Sequence, residues 1–469
     1  MRTSSSTNAP AEPARSPMNP GGHYRWVICG LLFFSVAVNY IDRLVIGILK
    51  EPLSVKLGWT EADYGHIAAG FSFAYAFGYL FGGRLMDRWG VKKGLPIFVF
   101  SWSVSAIAHG LCGLIGVEEQ FRLSYPWFSW TEKGVVWIAF AAPLTVIGFL
   151  VARIMLGLTE GGNFPGAIKT VAEWFPVRER ALATGWFNAG SNVGAVLCPL
   201  FVKWMYDHWG WESTFYATGC LGLLWVAAWL WIYDSPEHHR RLGAAELAYI
   251  KEDQAAVTTE ERPAGVPLMT LLRYRAVWAY LLASIFAGPA WGFYQFFLPD
   301  FLQKTFHLDL TAMAWWTSAF FFIAAIGGVA GGWLAGWLLG RGWTVNGARK
   351  ISMLVCALAV VPVFFAPFVG RVWLAVVIVG LAGSAHQGWS ANLFSIVGDT
   401  MPRQTISSVV GLGGFVAYFT GGFVNEFTGQ ILQRTGSYVA VFAYFSGMYV
   451  LSLLLIQVLV PQIGRKETA

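Results

Sequence analysis

Apolar residues run along this chain in blocks of roughly 20 or more, the length a helix needs to cross a bilayer, separated by short charged or Gly/Pro-rich breaks. Twelve blocks are expected, at 25–49, 64–87, 94–116, 140–172, 180–205, 211–233, 276–303, 312–340, 349–370, 372–398, 405–432 and 437–461. The pattern predicts an all-α membrane protein of twelve transmembrane helices. The longest internal polar stretch follows the sixth block and carries a short amphipathic helix expected near Ala244–Asp253. It divides the chain into a tail (1–23), a six-helix bundle (24–233), a loop (234–275), a second six-helix bundle (276–461) and a short tail (462–469). The first 22 residues are rich in Ser, Pro and Gly and lack an apolar core, so they read as a disordered tail and not as a cleaved signal.

Composition agrees with this reading: of 469 residues, 56% are hydrophobic and only 12% charged. Charge then sets the orientation, because Lys and Arg of short loops stay on the cytoplasmic side. With the N-terminus inside, inner loops and tails hold 21 of the 32 basic residues, among them Arg88, Lys92, Lys93, Lys169, Arg178 and Arg180. Outer loops hold eight, so both termini are expected to be cytoplasmic. This inward bias accounts for the net charge of +6 without a nucleic-acid partner. The five cysteines are odd in number and fall in apolar segments, where a free thiol behaves as a small hydrophobe. No metal-ligand spacing, nucleotide loop or nucleophile motif is present. The chain is therefore not expected to be an enzyme or to need a cofactor, although His386 beside Ser384 or Ser390 could be imagined as a catalytic pair.

Charges inside the apolar blocks are the informative exception. "NYIDR" places Asp42 and Arg43 in the first block, and "RIMLGLTE" places Arg153 and Glu160 two helical turns apart on one face of the fourth. Each intramembrane charge costs about 2.5–3.5 kcal/mol on insertion scales, so four in one half call for a reason. They sum to zero. One reading is a structural ion-pair network between helices 1 and 4, although buried pairs are weak evidence for stability. The other is functional: a carboxylate beside an arginine, once protonated, releases the arginine to bind an anion.

The second half has no matching set. Its polar residues gather in "GSAHQGWSANLFSIVGD", where Ser384, His386, Gln387, Ser390, Asn392 and Ser395 offer neutral hydrogen bonds on helix 10. They suit substrate hydroxyls or serve as interhelical glue. Tyr40, Tyr75, Trp291, Tyr294 and Gln295 add walls with a polar handle, useful against sugar rings. A cationic pole opposite neutral donors fits a ligand with a carboxylate at one end and hydroxyls at the other.

Between helices 2 and 3 stands "GGRLMDRWGVKKG", with Gly83, Asp87 and Arg88. The matching place between helices 8 and 9 reads "GGWLAGWLLGRGWTVNGARK", a degenerate internal repeat. "GGRLMDRWGVKK" resembles the signature loop of the major facilitator superfamily, in which the Asp belongs to a cytoplasmic gate, and the chain fits that family's twelve-helix plan. The second copy departs from it, with Ala335, Gly336 and Trp337 where an acid and a base are expected. Together with "NYIDR", the fourth and fifth helices and "AHQGWSANLFSIVGDTMPRQTISSVVGLGG" resemble the anion:cation symporter branch, and within it bacterial hexuronate transporters. The stretch Gly116–Val136 looks like an insertion relative to that family.

The resemblance implies a major facilitator fold in a bacterial inner membrane and proton-coupled uptake of hexuronates such as glucuronate or galacturonate by alternating access, carried out by a monomer. It implies that Arg43 binds the substrate carboxylate, that Asp42 and Glu160 carry protons, and that Arg153 pairs with one or the other acid. Tyr40 and Tyr75 match aromatic positions of the family's sugar-acid site, and Ser284 stands where some relatives carry an amide, against galactonate. Alternatives are another sugar acid (galactonate, glucarate), a different organic anion, or a transporter-like sensor signalling through the cytoplasmic loop.

Overall fold

The computed structural model describes residues 22–129, 134–252, 268–402 and 405–463. Residues 1–21 of the N-terminal tail, 253–267 of the polar loop and 464–469 of the C-terminal tail lie outside them. The first half contains α1 (Tyr24–Ile48), α2 (Lys50–Leu57), α3 (Glu61–Trp89), α4 (Val91–Leu111), α5 (Leu144–Glu160), α6 (Asn163–Trp174), α7 (Val177–Trp209) and α8 (Trp211–Ile232). A short α9 (Ala244–Lys251) and α10 (Leu268–Leu271) stand between the halves. The second half contains α11 (Arg275–Ala287), α12 (Pro289–Phe296), α13 (Leu298–Phe306), α14 (Leu310–Gly340), α15 (Val345–Val360), α16 (Val372–Thr400), α17 (Ile406–Thr435) and α18 (Val439–Leu459).

Among the described residues, ten helical segments are long and apolar enough to cross a membrane. The long helices α3 and α7 are not among these ten. Both carry charges at their ends, Glu61, Asp63, Asp87 and Arg88 on α3 and Arg178 to Arg180 and Asp207 on α7, which lowers their mean hydropathy. The protein is thus an all-α, multi-pass membrane protein.

One sequence expectation needs correction. The fourth block was placed at 140–172, but its helix begins at Leu144. Residues before it belong to an antiparallel hairpin, β1 (Gln120–Ser129) and β2 (Gly134–Pro143), paired from Gln120 opposite Pro143 to Ser129 opposite Gly134. Pro143 holds the extended backbone, with φ −52° and ψ 135°, at the point where strand gives way to helix. Much of the stretch read as an insertion therefore folds as a hairpin.

Close helix contacts follow the small residues. On α5, a Cβ at Gly157 would fall 2.5 Å from the Phe71 carbonyl oxygen, and on α7 a Cβ at Gly194 would fall 2.5 Å from that of Ala37. Such four-residue spacings of small side chains, Gly157 with Gly161 and Gly190 with Gly194, let α5 lie against α3 and α7 against α1. In the second half α14 packs on α16 and α11 on α18. Across the halves, α3 packs on α17 and α7 on α14. These crossings leave a space bordered by α1, α3, α5, α6, α7, α11, α12, α16 and α17.

Candidate functional site

The centre of the site is an ion pair between α1 and α5. Arg43 donates from Nε and Nη2 to one oxygen of Glu160, Oε2, at 3.0 and 2.9 Å. Both side chains are buried, with exposures of 1% and 0%. The guanidinium is further held by Asn39 Oδ1 at 3.3 Å, one helical turn back, and by the Tyr418 hydroxyl of α17 at 3.5 Å. Its Cζ lies over the rings of Tyr75 (4.4 Å), Tyr40 (5.1 Å) and Phe71 (5.4 Å). Glu160 Oε1, in contrast, is buried without a hydrogen-bond partner. A proton can be added there without first breaking a hydrogen bond.

The other two intramembrane charges sit behind this pair. Asp42 is buried, neither of its oxygens accepts a hydrogen bond, and it does not line the cavity. Arg153 donates from Nη1 to the Arg43 backbone carbonyl at 3.4 Å, while its Nε and Nη2 lack partners. Among the described residues, Arg153 forms no ion pair with Asp42 or Glu160 within 4.0 Å. A salt bridge from Arg153 to an acid, expected from the resemblance, is therefore absent in this conformation.

In front of the pair lies a cavity of about 310 Å3. Tyr40, Tyr75 and Glu160 line it from the first half, whereas Arg43 itself stands immediately behind the tyrosines. The opposite wall holds Trp291, His386 and Gln387, with Ser284 and Ser390. Trp291 and His386 are stacked at 5.4 Å with 9° between their planes, and His386 Nδ1 meets the Tyr449 hydroxyl at 2.6 Å.

Asn392 lies elsewhere. It is buried, its Nδ2 donates to the carbonyls of Gly331 and Gly388 at 3.2 and 3.0 Å, and it does not line the cavity. Ser384 likewise donates to the Ile323 carbonyl. Both join α14 to α16 and are not available to a ligand, the glue alternative of the sequence analysis. Sequence reasoning passed over Asn39, Asn163, Asn188 and Tyr418. Asn39 carried a signal, four residues before Arg43 on the same helical face; Tyr418 carried none beyond being aromatic.

A family model described as "Major Facilitator Superfamily" matches residues 32–425. The chain belongs to the Major Facilitator Superfamily. It is a membrane transporter and not an enzyme. Two relatives are similar over nearly the whole chain. The hexuronate transporter of Escherichia coli (strain K12) is 26% identical, covering 88% of each chain. A probable galactarate/D-glucarate transporter of Bacillus subtilis (strain 168) is also 26% identical, covering 94% of this chain and 93% of its own. Among solved structures, a D-xylose-proton symporter shares the fold at TM-score 0.69 and 15% identity, over 95% of this chain and all of that one (100%).

Polar contacts differ between the two ends of this superfamily member. At the end carrying α2 and the start of α3, Lys50 bridges Glu61 and Asp300 at 2.6 Å each, joining the two halves. Lys304 also pairs with Glu61 and Asp300, and the Tyr438 hydroxyl donates to Asp300. Lys50 and Asp300 are buried at 1% and 0% exposure. Below them the Tyr64 hydroxyl donates to the Phe296 carbonyl at 2.7 Å, sealing this end. The cavity instead extends toward the other end, where Tyr79, Asn188, Tyr280 and Phe394 line it.

At that other end the charges pair within halves. Lys169 of α6 bridges Asp87 at 2.9 Å, so the loop acid read as a gate element contacts its own half. Arg88 is exposed, and Gly83 has room for a side chain, whereas Gly82 makes the close approach to Gly162. Lys92 donates to Asp234 at 2.8 Å, which holds that carboxyl below its ordinary range. In the second half Arg349 pairs with Asp399 at 3.0 Å. The base of the degenerate loop thus finds its acid at the end of α16 and not within the loop.

Proposed function

We propose that this transporter imports hexuronates, such as glucuronate and galacturonate, together with protons. The observation that carries the proposal is the buried Arg43–Glu160 pair beside the cavity, with one Glu160 oxygen accepting two hydrogen bonds from the arginine and the other accepting none. A proton arriving at Oε1 neutralises Glu160 and weakens its hold on Arg43. The guanidinium, cradled by Tyr40 and Tyr75, then presents its charge to a substrate carboxylate. Asp42 is a second proton carrier behind it, and Arg153 is the cation placed to answer its ionisation. Trp291, His386 and Gln387 face the hydroxyl-bearing end of the sugar.

Twelve spans in two six-helix bundles, 24–233 and 276–461, would carry the cycle, with residues 234–275 and both termini on the cytoplasmic side of a bacterial inner membrane. The functional unit proposed is the monomer. With the Lys50–Asp300 end outward, the conformation is inward-facing. The relative with aldarates in its name is as similar as the hexuronate one, so diacid transport is the second reading.

Coupling has an electrostatic reason. An inside-negative potential opposes a monoanion by about 2.3 kcal/mol per 100 mV, and one co-transported proton cancels that opposition. Uptake of labelled glucuronate into liposomes under an inward proton gradient tests the reading. Accumulation that an ionophore collapses and that hexuronates inhibit best is expected; binding without accumulation would indicate a sensor.

The outer ion-pair cluster gives a further expectation. Asp300→Ala leaves Lys50 buried beside Glu61 alone and removes the buried second-half carboxylate of the network, so that Lys304–Glu61 remains as the ion pair across the halves. Spin labels at Val55 and Thr435, on exposed positions of the two halves, are then expected to report a larger long-distance population than in wild type. An unchanged distance distribution would show that the cluster does not hold the outer end shut.

A further inference from the structure

Hexuronates carry one carboxylate and aldarates two, and similarity of 26% to a transporter of each kind does not separate them. The distribution of charge around the cavity does. Among the described residues lining it, no lysine or arginine appears, and Glu160 is the one carboxylate. Arg43, directly behind Tyr40 and Tyr75, is the cation within reach of a ligand. The opposite wall is neutral: Ser284, Trp291, Gln295, Gln387 and Ser390, with His386 held between the Trp291 ring and the Tyr449 hydroxyl.

Resting on the sugar-acid reading above, we infer that the site is built for one carboxylate and discriminates against dicarboxylates. The charge balance is complete for a monoacid. Arg43 and Glu160 sum to zero; one proton on Glu160 leaves one positive charge, and one substrate carboxylate returns the site to neutrality. A dicarboxylate would add a second anion against a wall without a cation, where a buried unpaired charge is strongly disfavoured. The flat Trp291–His386 pair fits instead the apolar face of a closed sugar ring, with Gln387 and Ser390 beside it for hydroxyls. An open-chain diacid offers no such face.

The test is binding to the purified full-length protein at pH 7.5, where both carboxylates of a diacid are ionised, using glucuronate, galacturonate, glucarate and galactarate. Hexuronates are expected to bind about 30-fold or more tighter than the diacids, the scale of one unpaired buried charge. In Gln387→Arg, which places a cation on the neutral wall, the glucarate-to-glucuronate affinity ratio is expected to rise about tenfold or more. Wild-type glucarate binding within about threefold of glucuronate overturns the inference while leaving the sugar-acid reading intact. A folded Gln387→Arg protein with an unchanged ratio also overturns it. Absence of binding by either class removes the sugar-acid reading and this inference with it.

Discussion

Arg43→Ala is expected to reduce sugar-acid affinity by about 100-fold or more at every pH, because truncating one member of a desolvated charge pair typically costs roughly 2–5 kcal/mol. The pH independence is the decisive part. If Arg43 only balanced the charge of Glu160, protonating Glu160 at acid pH would make the arginine dispensable and restore binding. If the guanidinium holds the substrate carboxylate, acid pH brings no rescue. Arg43→Lys separates charge from geometry. The guanidinium now reaches Glu160 through two nitrogens, Asn39 through one of them and Tyr418 through a third, a fan that an ammonium on a shorter reach does not reproduce. Partial recovery of affinity is expected in the lysine variant. Isothermal titration across pH, with melting curves to verify folding, checks both variants. Retained wild-type affinity in Arg43→Ala would remove Arg43 from the binding site.

Much of this site was legible in the sequence because charge is so costly in an apolar block. Asp42, Arg43, Arg153 and Glu160 stood out by composition alone, and the seven-residue spacing put Arg153 and Glu160 on one face of the fourth block. What the sequence left open was which acid holds which base. Two adjacent residues on a helix point about 100° apart, so Arg43 turns toward the cavity while Asp42 turns toward the interior of its own half. That rotation is fixed by how α1 packs on α7 and α8, a tertiary fact without a local signature. The polar run on helix 10 was ambiguous for the same reason. His386, Gln387 and Ser390 line the cavity, and Ser384 and Asn392 face α14, one helix presenting two faces to two neighbours. The hairpin before α5 was missed because its second strand, Gly134–Pro143, is as apolar as the helix it precedes. Periodicity alone does not distinguish the two over a short run.

Glu160→Gln is expected to abolish proton-driven accumulation while leaving substrate exchange across the membrane in place. Glutamine is close in size and keeps a carbonyl oxygen for Arg43, so the variant imitates the protonated carboxyl. In the present conformation Oε2 accepts both arginine hydrogen bonds and Oε1 accepts none. An amide can therefore keep its oxygen on Arg43 and point its NH2 where the proton would sit. The arginine then faces the substrate with its charge permanently uncompensated. Binding should become insensitive to pH through the range in which the wild type responds. With no proton released on the inner side, the empty carrier retains a buried net charge and returns slowly, whereas the loaded carrier is neutral and crosses freely. Exchange needs only the loaded form; net uptake needs both. Preloaded liposomes challenged with labelled substrate outside measure exchange, and empty liposomes under a proton gradient measure accumulation. Accumulation by Glu160→Gln equal to wild type would assign the coupling proton to another group, with Asp42 the remaining buried acid beside the pair. Loss of exchange as well as accumulation, in a folded protein, would mean that Glu160 is needed to move the loaded carrier and not only to couple it.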